Sequence, residues 1–312
     1  MREVAGPDDL RREVELLWAF HTRRLRPDTP PEHLADRVAF SQRPPLRLMQ
    51  CADCGLVFRH PRPRAYQLQA LYAAEAPRAG VLESLYETQR ASYRAQAERL
   101  TVACGGRGTG LEVGSYAGAF LAAAAEQGWR FEGLDINEHA TAFARAHGFN
   151  VMRGDLPSLD QARRYDAVAI WNCFEQLPDP RQAAAAARAL LGARGVLAVR
   201  VPNGAFYLAI RPWLSTGLAW AARALLAHNN LLSFPYRHGF TVRSLTALLE
   251  HAGFRIQRVI GDTLVPIADE WTRPWAAVEE RALKVVLRRT GCVGPLRARW
   301  APWLEVYARV AC

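Results

Sequence analysis

Apolar positions recur at two different periods along this chain, and the change between them divides it. Residues 8–26, DDLRREVELLWAFHTRRLR, carry apolar residues at helix spacing with acids early and arginines late, as a helix dipole favours. Pro27, Pro30 and Pro31 end that helix. Residues 45–63, PLRLMQCADCGLVFRHPRP, predict two short strands around a tight Cys-x-x-Cys-Gly turn, closed by Pro61 and Pro63. Helical spacing returns over 64–103, where Leu68, Leu71 and Tyr72 are followed by Leu82, Leu85 and Tyr86.

From Thr109 the texture changes to short apolar runs alternating with longer amphipathic ones. GTGLEVG, WRFEGLDI, NVMRGD, RYDAVAIW, GVLAVRVP and RIQRVIGD read as six strands. AGAFLAAAAEQG, EHATAFARAHG, RQAAAAARALLGARG and TVRSLTALLEHAGF read as helices between them. Strands separated by helices of this length predict a doubly wound α/β fold, with a mostly parallel sheet covered on both faces. The series is interrupted at 203–240, a stretch rich in Trp, Leu and Ala. Arg211, Pro212 and Arg223 break its 205–233 part too often for a membrane span, so it reads as a helical lid over an acceptor. Residues 263–312 predict two amphipathic helices broken at Gly291–Pro295, and DTLVPI at 262–267 is a weak candidate for a last strand. The expected organisation is a helical N-terminal region (1–103) with the Cys-x-x-Cys hairpin, a central α/β domain (104–262) and a helical basic extension (263–312).

Composition narrows the function classes. Half of the 312 residues are apolar, which excludes a disordered chain, and six cysteines are too few for a disulfide scaffold. The start, MREVAGPDDLRREVELL, lacks an apolar signal core, so a cytoplasmic protein is expected. Net charge is +10, yet all basic residues but Lys284 are Arg, a bias of composition rather than of one site. Residues 101–210 hold ten basic and ten acidic groups, whereas 211–312 hold fourteen and seven. The neutral centre disfavours nucleic acid as the substrate. The basic tail leaves two expectations for the face made by Trp275, Val278, Ala282 and Val286. One is peripheral contact with an anionic membrane or a partner protein; the other, favoured here, is docking against the rest of the fold.

The chemistry concentrates in LEVGSYAGAF. Gly114 and Gly118 bracket a strand-to-helix turn, where glycine admits conformations that a β-carbon blocks. A pyrophosphate site would use Gly-x-Gly-x-x-Gly. Here the spacing is Gly-x-x-x-Gly, with Glu112 beside it, which suits an ammonium-bearing ligand better than NAD. Asp135 ends the second strand, where a carboxylate can accept both ribose hydroxyls, and Asp155 follows the third, as an adenine contact or a helix cap. The three acids define one crevice at the carboxyl edge of the sheet.

On these motifs, together with FEQLPDP at 174–180 and LLEHAGF, residues 108–262 resemble the class I S-adenosylmethionine-dependent methyltransferases. The resemblance implies that Glu112, Gly114, Ser115, Tyr116, Gly118 and Phe120 surround the methionine part of S-adenosylmethionine, and that Asp135 with Ile136 holds the ribose. It also implies that Asp155 and Leu156 lie near the adenine, and that Trp171, Asn172 and Cys173 face the sulfonium. Many relatives read Glu-His where this chain has Glu175–Gln176, so the usual histidine is missing. Glu175, Tyr236 and His238 remain as candidates to hold or deprotonate the acceptor. Cys51 and Cys54 form half of a zinc knuckle, which His21, His33 or His60 would have to complete. The expected activity is methyl transfer to a small-molecule acceptor: a natural product, a sugar or a lipid-linked molecule. A non-catalytic scaffold of the same fold is the alternative, and an NAD-linked oxidoreductase is disfavoured by the glycine spacing.

Overall fold

The computed structural model describes residues 1–29, 46–62, 64–74, 76–77, 80–229, 231–232, 237–263, 271–290 and 298–311. Strand β1 (Arg2–Ala5) leads into α1 (Pro7–Thr22), and β2 (Arg47–Gln50) and β3 (Val57–His60) flank the cysteine turn. Helices α2 (Ala65–Ala74) and α3 (Val81–Cys104) follow. The alternating region comprises β4 (Thr109–Val113), α4 (Ala119–Glu126), β5 (Arg130–Asp135), α5 (Glu138–Ala146), β6 (Val151–Arg153), β7 (Tyr165–Trp171), α6 (Pro180–Leu190) and β8 (Leu191–Pro202). The interruption holds α7 (Gly204–Ile210), α8 (Ala219–Asn229) and β9 (His238–Gly239). Then come α9 (Val242–His251), β10 (Phe254–Asp262), α10 (Pro274–Thr290) and β11 (Trp303–Val310).

Seven strands form the main sheet in the order β10-β11-β8-β7-β4-β5-β6. All neighbours are parallel except β11, which runs antiparallel to both β8 and β10. The chain leaves β4 toward β5 and β6, then returns to β7 on the other side of β4. That reversal opens a crevice beyond the carboxyl ends of β4 and β7, where α/β folds bind ligands. One face of the sheet packs Val168, Ile170, Leu197 and Val199 with Ala184, Ala187 and Leu245 of α6 and α9. The other packs Ala167, Ala169, Trp171 and Ala198 with Leu100 of α3 and Phe120 of α4.

Strand β11 corrects the expectation of a wholly helical extension after residue 262. Helix α10 is present, but Trp303–Val310 lies inside the sheet with nearly every side chain buried. Burial on both faces hides the period-two alternation that identifies a strand in sequence. Of DTLVPI, Asp262 ends β10 and 264–267 lie outside the described residues. The expected docking of the α10 face is also overturned. Val278 is 65 % and Val286 55 % exposed, whereas Ala276, Lys284 and Leu287 turn inward. No helix among the described residues is long and apolar enough to cross a membrane.

A second, antiparallel sheet runs β1-β2-β3-β9, so the N-terminal region and the 203–240 interruption are built as one unit. Leu10, Val14 and Leu17 of α1 share a core with Ala222 and Leu226 of α8. Glu13, buried between them, accepts hydrogen bonds from Tyr207 Oη and Arg211 Nε, both at 2.6 Å. Because Glu13→Ala strands both donors, unfolding free energy is expected to fall by about 2 kcal/mol, read from the urea midpoint.

Candidate active site

The β4–α4 turn is built on left-handed backbone. Gly114 (φ 73°), Tyr116 (φ 43°) and Gly118 (φ 78°) all adopt it, which turns the loop sharply over the sheet edge. Gly114 donates its N–H to Leu134 O at 2.8 Å, and a β-carbon there would stand 2.7 Å from Cys173 Sγ. The loop thus lies directly against the turn that follows β7. Gly114→Ala combines positive φ with that clash and is expected to lower stability by about 2 kcal/mol. The denaturation midpoint checks this.

Asp135 closes the crevice at the end of β5. Its Oδ2 accepts the Tyr116 N–H and its Oδ1 the Asn137 N–H, each at 2.8 Å, so the carboxylate is held from both sides. Burial raises its pKa, and the N–H donors of Asn137, Tyr116 and Ile136 oppose the shift. Glu112 sits on the neighbouring strand, 3 % exposed, and its Oε2 has no partner among the described residues. Burial first and the charge of Asp135 second push its pKa well above the carboxylate range. Ser115 Oγ is likewise buried and unpartnered. Two buried carboxyls and an orphan hydroxyl beside a glycine turn suit a ligand that brings hydroxyls and a cationic group.

Two expected contacts are used otherwise. Phe120 is fully buried and packs edge-on against Trp171 at 5.3 Å and Phe131 at 5.1 Å, so it belongs to the core. Leu156 is 2 % exposed within the core on the opposite face of the sheet. Ile136 is half-buried. Asp155 caps the turn at Leu156–Ser158, accepting the Ser158 N–H at 3.2 Å, while its Oδ2 accepts Gln69 Nε2 at 2.9 Å. Asn137 Nδ2 donates to the Tyr72 carbonyl at 2.8 Å. Helix α2 is therefore fastened across the β5–β6 edge at two points. Its spacing in sequence carries no sign of this, because the partners lie 65 and 86 residues away.

Beyond β7, Asn172 takes a left-handed conformation (φ 57°), which asparagine tolerates better than most residues. Its Oδ1 accepts Arg200 Nε at 2.8 Å and its Nδ2 donates to Tyr93 Oη at 3.2 Å. Cys173 Sγ donates to Val113 O at 3.5 Å, and burial pushes its thiol far up, so it serves as a wall rather than a nucleophile. Glu175 is fully buried, and neither carboxyl oxygen has a partner among the described residues. Burial raises its pKa to about 8, against the opposing pull of its own backbone N–H, the Gln176 side chain and the Arg200 charge.

The Glu175 backbone carbonyl accepts the N–H groups of Arg237 and His238, and His238 Nδ1 faces it at 3.2 Å. A carbonyl only accepts, so Nδ1 carries the proton. Burial, then the charge of Arg62, lowers the His238 pKa to about 4. Tyr236 lies outside the described residues. Tyr93 and Arg200, absent from the sequence reading, both reach the Asn172 turn; an arginine in the apolar run GVLAVRVP was the available signal.

Cys51 and Cys54 flank the β2–β3 turn, and the Cys54 carbonyl accepts Thr241 Oγ1 at 3.3 Å. No group of three or more metal-ligating side chains occurs among the described residues, and His33 lies outside them. His60 pairs with Arg47 at the far end of the hairpin, and His21 stacks edge-on with Phe20.

A family model described as a methyltransferase domain matches residues 86–259, more than half of the chain. The chain belongs to this family: it is an S-adenosylmethionine-dependent methyltransferase, with the Rossmann-like sheet of class I. No curated protein matches the sequence. Among solved structures it is similar to the 1,6-didemethyltoxoflavin-N1-methyltransferase of Burkholderia thailandensis, crystallised with 1,6-didemethyltoxoflavin and S-adenosylhomocysteine. The two are 18% identical, the match covers 84% of this chain and 99% of that one, and the TM-score is 0.48. A SAM-dependent methyltransferase of Archaeoglobus fulgidus is 20% identical over 73% and 97% of the two chains, with a TM-score of 0.45. The magnesium protoporphyrin IX methyltransferase of Synechocystis PCC 6803, with bound SAM, is 14% identical over 79% and 91%, with a TM-score of 0.44.

Proposed function

We propose that the protein methylates a small-molecule acceptor, a natural product, sugar or lipid-linked molecule, with Glu175 as the general base. The observation that carries this reading is the enclosed Glu175 carboxyl, fully buried with neither oxygen in a well-formed hydrogen bond among the described residues, its pKa raised by burial to about 8. A buried carboxyl with no partner destabilises a fold and persists where chemistry uses it. A base with a pKa close to the working pH combines adequate ionisation with adequate proton affinity. His238, at about 4, is too weakly basic for that role. It orients the Glu175 backbone instead.

When bound, S-adenosylmethionine supplies an activated methyl group on a sulfonium. Asp135 would hold its ribose and the Gly114–Gly118 loop its methionine part. Glu112 and Ser115 would meet its polar groups, and Asn172 and Cys173 would border the sulfonium. The protein's remaining task is to align the acceptor and exclude water. Helix α2 covers one side of the crevice. On the other, strand β9 hangs from the Glu175 carbonyl, so the 203–240 segment is the element that would move to admit the acceptor.

Calorimetry with S-adenosylhomocysteine and transfer of a labelled methyl group into a metabolite extract test this. Binding accompanied by a labelled small-molecule product is expected. Binding without transfer to any acceptor would leave only a scaffold, and absence of binding would end the reading.

A further inference from the structure

Two buried hydrogen-bond donors leave one face of the sheet near the carboxyl ends of β7 and β8, and neither has an acceptor among the described residues. Trp171 on β7 and Arg200 on β8 are register partners, so their side chains leave the sheet on one face and at one level. Trp171 is 3 % exposed and Arg200 0 %, yet Trp171 Nε1 and Arg200 Nη2 have no acceptor among the described residues. The other guanidinium nitrogens of Arg200 are engaged. Nε donates to Asn172 Oδ1 at 2.8 Å, and Nη1 donates to the Gln96 side-chain oxygen at 2.7 Å when that amide turns its nitrogen to Ser92 O.

Of the carboxylates near Arg200, Glu305 and Asp262 are held by other donors, and Glu175 feels the Arg200 charge without a hydrogen bond to it. Glu305, paired with Arg200 across β8 and β11, accepts Arg99 Nε at 2.6 Å and Nη2 at 2.8 Å, as well as Tyr307 Oη. Asp262 accepts Arg99 Nη2 at 2.9 Å and Arg288 Nε at 3.1 Å. Tyr93 turns its ring toward the Arg200 guanidinium, with the centroid 5.5 Å away, while its Oη accepts from Asn172. A desolvated guanidinium N–H with no acceptor is costly, and a second orphan donor beside it repeats the demand for the same partner.

We propose that Trp171 Nε1 and Arg200 Nη2 together hold the oxyanion of an acidic hydroxyl, a phenol or an enol, on the methyl acceptor. This rests on the methyl transfer proposed above. Two orphan donors select an oxygen that only accepts, and a cationic donor selects a charged one. A carboxylate acceptor would need no base and would leave Glu175 idle, whereas a phenol or enol uses both groups. The Glu175 carboxylate takes the hydroxyl proton, and the two donors stabilise the oxygen left behind. A lone pair of that oxygen, or the electron pair of the enol's conjugated carbon, forms the bond to the methyl carbon as the carbon–sulfur bond breaks. The electrons of that bond stay on sulfur as a thioether, and the proton passes from Glu175 to solvent.

The test uses 4-nitrophenol, whose absorbance reports its own ionisation, added to the full-length protein saturated with S-adenosylhomocysteine. The bound probe is expected to titrate as phenolate at a lower pH than the free probe. Arg200→Met should abolish that shift, with S-adenosylhomocysteine affinity measured in parallel so that probe binding is compared at full cofactor saturation. Arg200→Lys should restore part of it, and Trp171→Phe should weaken probe binding about 10-fold. Probe bound as the neutral phenol, failure to bind, or a phenolate shift that survives both Arg200→Met and Trp171→Phe overturns the proposal. Should Arg200→Met fail to fold, Arg200→Lys and Trp171→Phe carry the test. An intact phenolate signal without methyl transfer to any acceptor supports this site and counts against the transfer reading alone.

Discussion

Asp135→Ala is expected to weaken S-adenosylhomocysteine binding by at least ~100-fold, about 3 kcal/mol, in a calorimetric titration. On the proposed cofactor placement the substitution removes the acceptor of two ribose hydroxyls, and charge-assisted hydrogen bonds in a desolvated site are the strong ones. It also releases the N–H groups of Tyr116 and Asn137, the first in the glycine turn and the second at the cap of α5. Asp135→Asn separates the two effects. An amide keeps one acceptor for the turn but cannot receive both hydroxyls and both N–H groups, so an intermediate loss is expected. Unchanged affinity in Asp135→Ala would remove Asp135 from the cofactor site.

Glu175→Gln is expected to reduce methyl transfer about 100- to 10,000-fold while making the fold less sensitive to alkali. The Glu175 pKa is raised from 4.5 to about 8, so the native state favours the protonated form. Its contribution to stability is complete below pH 4.5 and is lost as pH rises through 8. Glutamine stays neutral and escapes that loss, which amounts to a few kcal/mol at most. The histidines act in the opposite sense. Burial lowers His238 to about 4 and His228 to about 3 from 6.5. Their contributions are present above pH 6.5 and disappear as pH falls through those values. The two histidines should therefore cost stability as pH falls below 6.5. Glu175, together with Glu112 and Asp135, costs it as pH rises above the ordinary carboxylate range, and Glu175→Gln should reduce only the Glu175 share of that second loss. Denaturant midpoints across pH measure this directly. The rate of transfer in the wild type should rise with pH and level off above about 8.

How far the sequence could be read depended on how local each signal was. Strands β4 to β8 and the helices between them follow from apolar periodicity, because each element buries one face against the next. The glycine turn and Asp135 were legible because positive φ and a strand-end carboxylate restrict residue type at fixed spacing. Strand β11 was not, since burial on both faces erases alternation. The position of Phe120 in the motif was visible, but its packing on Trp171 of β7, on the same face of the sheet, was not. Gln69, Tyr93 and Arg200 act through partners 86, 79 and 28 residues away, and a single sequence holds no record of such pairings. The opposite titrations of Glu175 and His238 likewise follow from burial, which residue type alone does not reveal.

The position of β11 has a consequence for how the chain acquires its structure. Trp303–Val310 lies between β8 and β10, so the latest of the described strands is an interior one, made after both its neighbours. Until it arrives, β8 presents an open edge and β10 has no place in the sheet. During synthesis the nascent chain therefore carries a long unpaired strand edge, the kind of surface that chaperones cover. Truncation before residue 303 should consequently give an aggregating product rather than a smaller active domain, although every residue assigned to the cofactor is retained.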